Sequence, residues 1–270
     1  MHTGYFYYFC DMVGIFDSGI GGISVWKELY GLLPNRDFIY VADSIHCPYG
    51  RKSPEEIIER AEKISKFLID KKVKIIVVAC NTATAAAIDY LRSHFSIPFV
   101  GMEPAIKPAA LESKSGVVGV LATAGTFRGS LYLNTLNKFA ANITVIEQIG
   151  DGLVELVEAG KTSGSEVESL LHKYINPMLA ANADKIVLGC THYPFLTDAI
   201  RKITNNAVEI INPAPAIAQQ TKKNLTEKKI VIDNKNSNLF FSTGSIETMK
   251  MLVRNIDPNI SDKNFVETII

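Results

Sequence analysis

Two stretches of this chain run an apolar segment straight into a thiol. In KIIVVACNTA, residues 74–83, five apolar residues lead to Cys80, with Asn81 and Thr82 behind it. In DKIVLGCTHYP, residues 184–194, a similar run leads to Cys190, with Thr191 and His192 behind it. Thiols so placed could close a disulfide, hold a metal, pack inertly or act as a catalytic pair. The chain has four cysteines, Cys10, Cys47, Cys80 and Cys190, and no C-x-x-C pair among its 270 residues. That is no disulfide framework, and a reducing, cytoplasmic compartment follows as the expectation. His46 beside Cys47 suggests metal ligation. No third and fourth ligands stand at zinc-like spacing, so no metal is expected, and Cys10 and Cys47 are read as inert.

A lone buried cysteine is most often inert packing, but two at equivalent strand ends, each with polar residues behind it, favour a pair of catalytic thiols. A free thiol has a pKa of about 8.5, so modest tuning leaves one thiolate base and one thiol acid near neutrality. A base on one face of a carbon and an acid on the other invert its configuration. The roles exchange in the reverse direction, which accounts for two similar residues. Such chemistry needs no cofactor.

The elements that must position these residues alternate between short apolar β-runs and helical patterns. Strands are expected at MVGIF, FIYVA, KIIVVAC, FVGM, GVVGVLA, ITVIEQ, KIVLGC, VEII and LFFST. Runs apolar on both faces and separated by helices indicate parallel sheets covered on both sides, an α/β fold. Between the second and third runs, Ser53, Pro54 and Glu56 spell a capping box. Ile57, Ile58, Ala61, Ile64, Phe67 and Leu68 then form one apolar helix face. Ligands of parallel sheets bind beyond the carboxyl ends of strands. There stand Asp17 and Ser18, Asp43, Cys80 to Thr82, Thr123 and Thr126, and Cys190 to His192. A helix starting just after each cysteine would favour its thiolate.

The pattern occurs twice. GIFDSGIGG and GVLATAGTFRG are both glycine-rich strand ends, and a cysteine follows at similar distance: 63 residues from Asp17 to Cys80, 67 from Thr123 to Cys190. Two pseudo-symmetric parallel-sheet α/β domains are expected, with the site in the cleft between them. The first comprises residues 1–101 plus 214–270, the second residues 102–213. Gly19, Gly21 and Gly22 do not complete a nucleotide loop, since Ser24 occupies the third glycine position. They are read as letting the backbone approach a small ligand closely.

Composition narrows the function classes. Lys plus Arg and Asp plus Glu number 28 each, so no net charge points to nucleic acid or an anionic membrane. No apolar window approaches the roughly 18 residues of a membrane span. The opening MHTGYFYYFCDM holds five aromatics and no Lys or Arg. It is read as an N-terminal extension without assigned function, not a secretory signal. The polar loop DNKNSN, 233–238, is read as mobile and without function.

FDSGIGG, ADSIHCPYG, VVACNTATA, TAGT and LGCTHYP, in this order and spacing, resemble the cofactor-independent glutamate racemases of the aspartate/glutamate racemase superfamily, over nearly the whole chain from Val13 onward. The resemblance implies that Cys80 and Cys190 are the acid–base thiols. It implies Asp17 and His192 as their supporting groups and Asp43 as an auxiliary carboxylate. Asp17, Ser18, Tyr49, Gly50, Asn81, Thr82, Thr123, Thr126, Thr191 and His192 would hold L- or D-glutamate. A homodimer supplying D-glutamate to peptidoglycan follows from the same likeness. One departure stands out: the Cys-Pro pair expected before the second-half helix is absent from EQIGDGLVELVEAG. The family's acidic residue therefore falls on Glu158, with Glu155 the alternative. An aspartate racemase and a non-catalytic ligand-binding module are the competing readings.

Overall fold

The computed structural model describes residues 12–34, 36–140, 142–232 and 238–270. Cys10, the aromatic segment 1–11 and the loop residues 233–237 lie outside the described residues. Chain order runs β1 (Met12–Asp17), β2 (Phe38–Ala42), β3 (Val73–Val78), β4 (Phe99–Gly101), β5 (Val117–Ala122), β6 (Thr144–Ile149), β7 (Lys185–Gly189), β8 (Glu209–Ile211), β9 (Asn238–Ser242) and β10 (Phe265–Glu267). They form two parallel sheets, β10-β9-β2-β1-β3-β4 and β6-β5-β7-β8.

The order β2-β1-β3-β4 recurs as β6-β5-β7-β8, the same winding in the same sequence of elements. That shared winding is the counterpart of the doubled sequence pattern. It sets β1 beside β3, with Phe16 opposite Val78, and β5 beside β7, with Ala122 opposite Gly189. Each cysteine-bearing strand end therefore lies next to a glycine-rich one.

Period-two alternation explains why both faces of the first sheet are apolar. Val13, Ile15, Tyr40, Ile75 and Val77 pack on one side around Trp26, with Ala214, Ile217 and Ala218 from the helix Ala214–Glu227. Phe16, Val41, Ile76 and Val78 pack on the other, against Ile57, Ala61, Ile64 and Leu68 of the helix Pro54–Asp70. That helix carries the expected capping box, Glu56 N–H donating to Ser53 Oγ at 3.2 Å and Ser53 N–H to Glu56 Oε2 at 2.9 Å. Such caps stabilise a helix by about 1 kcal/mol. The second sheet is likewise covered on both sides, by clusters built around Leu188 and around Val187.

Two expectations need correction. Phe265–Glu267 is a tenth strand, paired parallel to β9. At three residues on a sheet edge it is too short for alternation to announce. The second concerns Cys190. Cys80 does cap the helix Asn81–His94, its Sγ accepting from Ala83 N–H at 3.4 Å. After Cys190 there is instead a short 3-10 turn, Tyr193–Leu196, before the helix Thr197–Ile203. Pro194 has no N–H to offer, and the Cys190 sulfur faces an imidazole rather than a helix N-terminus.

Candidate active site

The carboxyl ends of the two sheets meet. Ser24 Oγ donates to Thr191 O at 3.0 Å, Thr191 Oγ1 to Asp17 Oδ2 at 2.9 Å, and Ile20 N–H to Glu158 Oε1 at 2.8 Å. The glycines of DSGIGG make this approach possible. A Cβ on Gly19 would overlap the Glu158 carboxylate, and one on Gly21 would overlap the His192 ring and Thr191 hydroxyl. The sequence reading assigned that closeness to a ligand; the structure assigns it to side chains of the opposing half.

Between the sheet ends lies a small cavity lined by Ser18, Tyr49, Gly50, Cys80, Asn81, Thr82, Thr123, Cys190, Thr191 and His192, together with Pro48 and Val154. Cys80 and Cys190 thus share one chamber, both buried. It leaves about 10 Å³ for the centre of a water-sized sphere, room for roughly one water molecule. A larger cavity of about 780 Å³ near Phe99, Pro104 and Ile217 is lined by neither cysteine and by none of the candidate site residues.

Each thiol is backed by a chain ending on a carboxylate. The Cys80 thiol lies 3.6 Å from Ser18 Oγ, which donates to Asp17 Oδ1 at 3.2 Å. Cys190 Sγ lies 3.7 Å from His192 Nδ1, whose Nε2 meets Glu158 Oε1 at 2.6 Å. Burial and the neighbouring Asp17 charge push the Cys80 thiol well up, so it holds its proton at neutral pH. Burial also raises Asp17, against the opposing pull of His192 and the Thr191 hydroxyl. For His192 burial alone would favour the neutral ring; bonds to Cys190, Cys47 and Glu158 outweigh it and hold the pKa well above the ordinary value. Burial likewise opposes Glu158 ionisation, but His192 and the Ile20 N–H hold it low. The pair is therefore an imidazolium and a carboxylate.

Glu155, the alternative to Glu158, is exposed and pairs with Arg51 at 3.0 Å on the rim. Asp43 is buried behind the chamber. Its oxygens accept from Arg60 Nε and Nη2, both at 2.9 Å, from Thr243 Oγ1 at 3.0 Å and from Tyr49 Oη at 2.5 Å, with His46 Nδ1 at 3.0 Å. Burial would raise its pKa, but Arg60, Tyr49 and His46 bring it below the usual carboxylate range. Thr126 also stands outside the lining. It lies 3.0 Å from Thr123 Oγ1, which meets Thr82 Oγ1 of the other half at 2.8 Å.

The Asn81 side-chain amide is buried, and neither its nitrogen nor its oxygen has a partner. Buried amides are otherwise almost always satisfied. One facing this chamber is an open donor and acceptor for something polar.

Pro48, Val154, Cys47 and Arg60 were missed. Arg60 carried a legible signal, a charged residue inside the apolar stripe between Ile57 and Ala61. Cys47 was read as inert, yet its Sγ stands 3.6 Å from Glu158 Oε1, and burial pushes its thiol up to about 11.

Two pseudo-symmetric sheets with a thiol on each side of a shared chamber define a class of isomerase. The Asp/Glu/Hydantoin racemase family model matches residues 30–221, and the chain belongs to that family. Its relatives include the glutamate racemase of Herpetosiphon aurantiacus, 46% identical over 87% of this chain and 90% of that one. The glutamate racemase of Stutzerimonas stutzeri is 43% identical over 88% and 90%. Among solved structures, Escherichia coli glutamate racemase, in complex with L-glutamate and activator UDP-MurNAc-ala, superposes with a TM-score of 0.85 at 31% identity, covering 96% of this chain and 97% of that one. The Francisella tularensis enzyme in complex with D-glutamate gives 0.81 at 31% identity, covering 97% and 98%.

Proposed function

We propose that the protein is a glutamate racemase that moves the Cα proton of glutamate between Cys80 and Cys190 without a cofactor. The observation that carries this reading is one chamber with both thiols in its walls, each backed by a separate chain to a carboxylate. A thiolate on one side removes the Cα proton and leaves a planar carbanion. The opposite thiol returns a proton to the other face, becoming the thiolate for the reverse reaction. Cys80 holds its proton, ready as the acid. His192, as imidazolium, stabilises a thiolate at Cys190. In the other direction the Ala83 N–H and the Ser18 hydroxyl favour a thiolate at Cys80, against the Asp17 charge.

Asn81, Thr82, Thr123 and Thr191, with Ser18 and the Gly50 backbone, supply donors for the carboxylates and acceptors for the ammonium. Tyr49 lines the same chamber, held by Asp43, which acts by positioning and does not touch substrate; Thr126 supports Thr123 in the same way. The chamber as it stands is too small for an amino acid, so entry requires the sheet ends to part. A division into residues 1–101 plus 214–270 and 102–213 provides two bodies for that motion. The packing of β9 and the helix Ala214–Glu227 on the first sheet supports it. Production of D-glutamate for peptidoglycan in the cytoplasm, by a homodimer, completes the reading. Among the described residues no helix is long and apolar enough to cross a membrane.

The test is circular dichroism of L- and D-glutamate with enzyme and no added cofactor, in water and in D₂O, alongside aspartate. Racemisation with deuterium entering Cα is expected, and Cys80→Ala and Cys190→Ala should each abolish it while keeping the fold. Inversion of aspartate alone, or single-cysteine variants at near-native rates, would overturn the reading.

A further inference from the structure

His192 and Glu158 have a third neighbour, Cys47, which stands outside the chamber and is neither acid–base thiol. Cys47 Sγ, a Glu158 carboxylate oxygen and a His192 ring nitrogen all lie within 4.8 Å of one another. The three come from distant parts of the chain, at positions 47, 158 and 192. This is why a search for ligands close in sequence finds only His46 beside Cys47. His46 is instead bonded to Asp43.

We propose that Cys47, Glu158 and His192 form a binding site for a thiophilic divalent cation of the zinc class, and that its occupation switches racemisation off. Thiolate, imidazole and carboxylate are the donor set that zinc accepts, three protein ligands leaving a fourth position for water. Cys47 Sγ to Glu158 Oε1 is 3.6 Å and His192 Nε2 to the same oxygen is 2.6 Å. A tetrahedral zinc spaces its ligand atoms by about 3.2–3.8 Å, so the His192–Glu158 pair must open by under about 1 Å. Cys47 is only partly buried and the Glu158 side chain is 21% exposed, so an ion reaches the cluster without entering the chamber.

The inhibitory half of the proposal rests on the roles given above to His192 and Glu158. A metal held between His192 Nε2 and Glu158 replaces their direct contact and so breaks the chain Glu158–His192–Cys190 that backs the second thiol. Cys47 is outside the chamber lining and is neither acid–base thiol, so its replacement removes a metal ligand while Cys80, Cys190, His192 and Glu158 stay in place, and inhibition is read against each variant's own metal-free rate.

The experiment titrates metal-free, full-length protein with Co²⁺, reading the sulfur-to-cobalt charge-transfer band, and assays glutamate racemisation against added Zn²⁺. One equivalent of cobalt should give the band in the native protein, in Cys80→Ala and in Cys190→Ala, but not in Cys47→Ser or Cys47→Ala. Zinc should inhibit the native enzyme, and the half-inhibiting concentration should rise at least about tenfold in Cys47→Ser, since even ligand-supporting groups are worth that much. Native-like circular dichroism of either Cys47 variant keeps the comparison valid. A band that survives loss of Cys47, a band that disappears with Cys190, or no band at all overturns the proposal. The cobalt spectrum reads the site whether or not glutamate is the substrate, so its failure and that of the racemase reading are separable.

Discussion

Replacing Glu158 with glutamine tests the relay behind Cys190 and keeps the shape of the side chain. The amide oxygen can still accept the Ile20 N–H that now lies 2.8 Å from Oε1, so the junction between the sheets survives. What disappears is the charge facing His192 Nε2 at 2.6 Å. A hydrogen bond between charged partners is worth about 1.5–3 kcal/mol, and the imidazole here is buried, with little solvent to take over. That lowers the His192 pKa and corresponds to a loss of roughly ten- to hundredfold in kcat/KM. The enantiomers of glutamate have equal free energies in water, so kcat/KM must fall equally in both directions. kcat and KM taken singly need not. The assay is the initial rate by circular dichroism from each enantiomer across pH. The alkaline limb that depends on protonated His192 should move to lower pH, because the Glu158 carboxylate is one of the groups that raise the ring's pKa. Glu155→Gln is the control: its ion pair with Arg51 is exposed, and such pairs contribute at most about 1 kcal/mol. Glu158→Gln with near-native kcat/KM and an unmoved limb, or Glu155→Gln equally damaged, would refute the relay.

Gly21→Ala should lower both stability and activity, because the new methyl meets the His192 ring and the Thr191 hydroxyl. About 1–3 kcal/mol in urea unfolding is expected, and an unchanged midpoint with full activity counts against the glycine argument. Asn81→Leu should leave stability without added glutamate nearly unchanged, since no hydrogen bond is lost, while raising KM for glutamate severalfold. An unaltered KM would show that the open amide does not meet substrate. Asp43→Asn strips the buried Arg60 of its counter-ion, and removing one partner of such a pair costs about 3–5 kcal/mol. Asp43 has a folded pKa below its unfolded one. Its contribution is therefore present above the unfolded value of 3.8 and fades as pH falls through the folded value. Native protein should lose stability on acidification through that window, and Asp43→Asn should lose less there; parallel acid titrations by circular dichroism decide it.

The amino-acid order determined the elements and the doubled plan. Short apolar runs mark nine of the ten strands, and Ser53 with Glu56 sets a helix start through bonds three residues apart. The repeated strand–cysteine–polar arrangement pointed to two related sheets and a pair of thiols, since strand order and local winding follow from short-range connections. Tertiary structure decided what depends on residues far apart in the chain. Glu158 rather than Glu155 meets His192 because the helix Leu153–Glu158 carries Glu158 beside the buried ring and leaves Glu155 exposed against Arg51. Asp43 serves Arg60 and Tyr49 rather than the chamber, and the DSGIGG glycines make room for His192 and Glu158. Cys47 joins them across more than a hundred residues. Periodicity and capping act over a few residues and can be read along a line. Contact between two independently formed sheets depends on how their ends dock, and no local pattern encodes that.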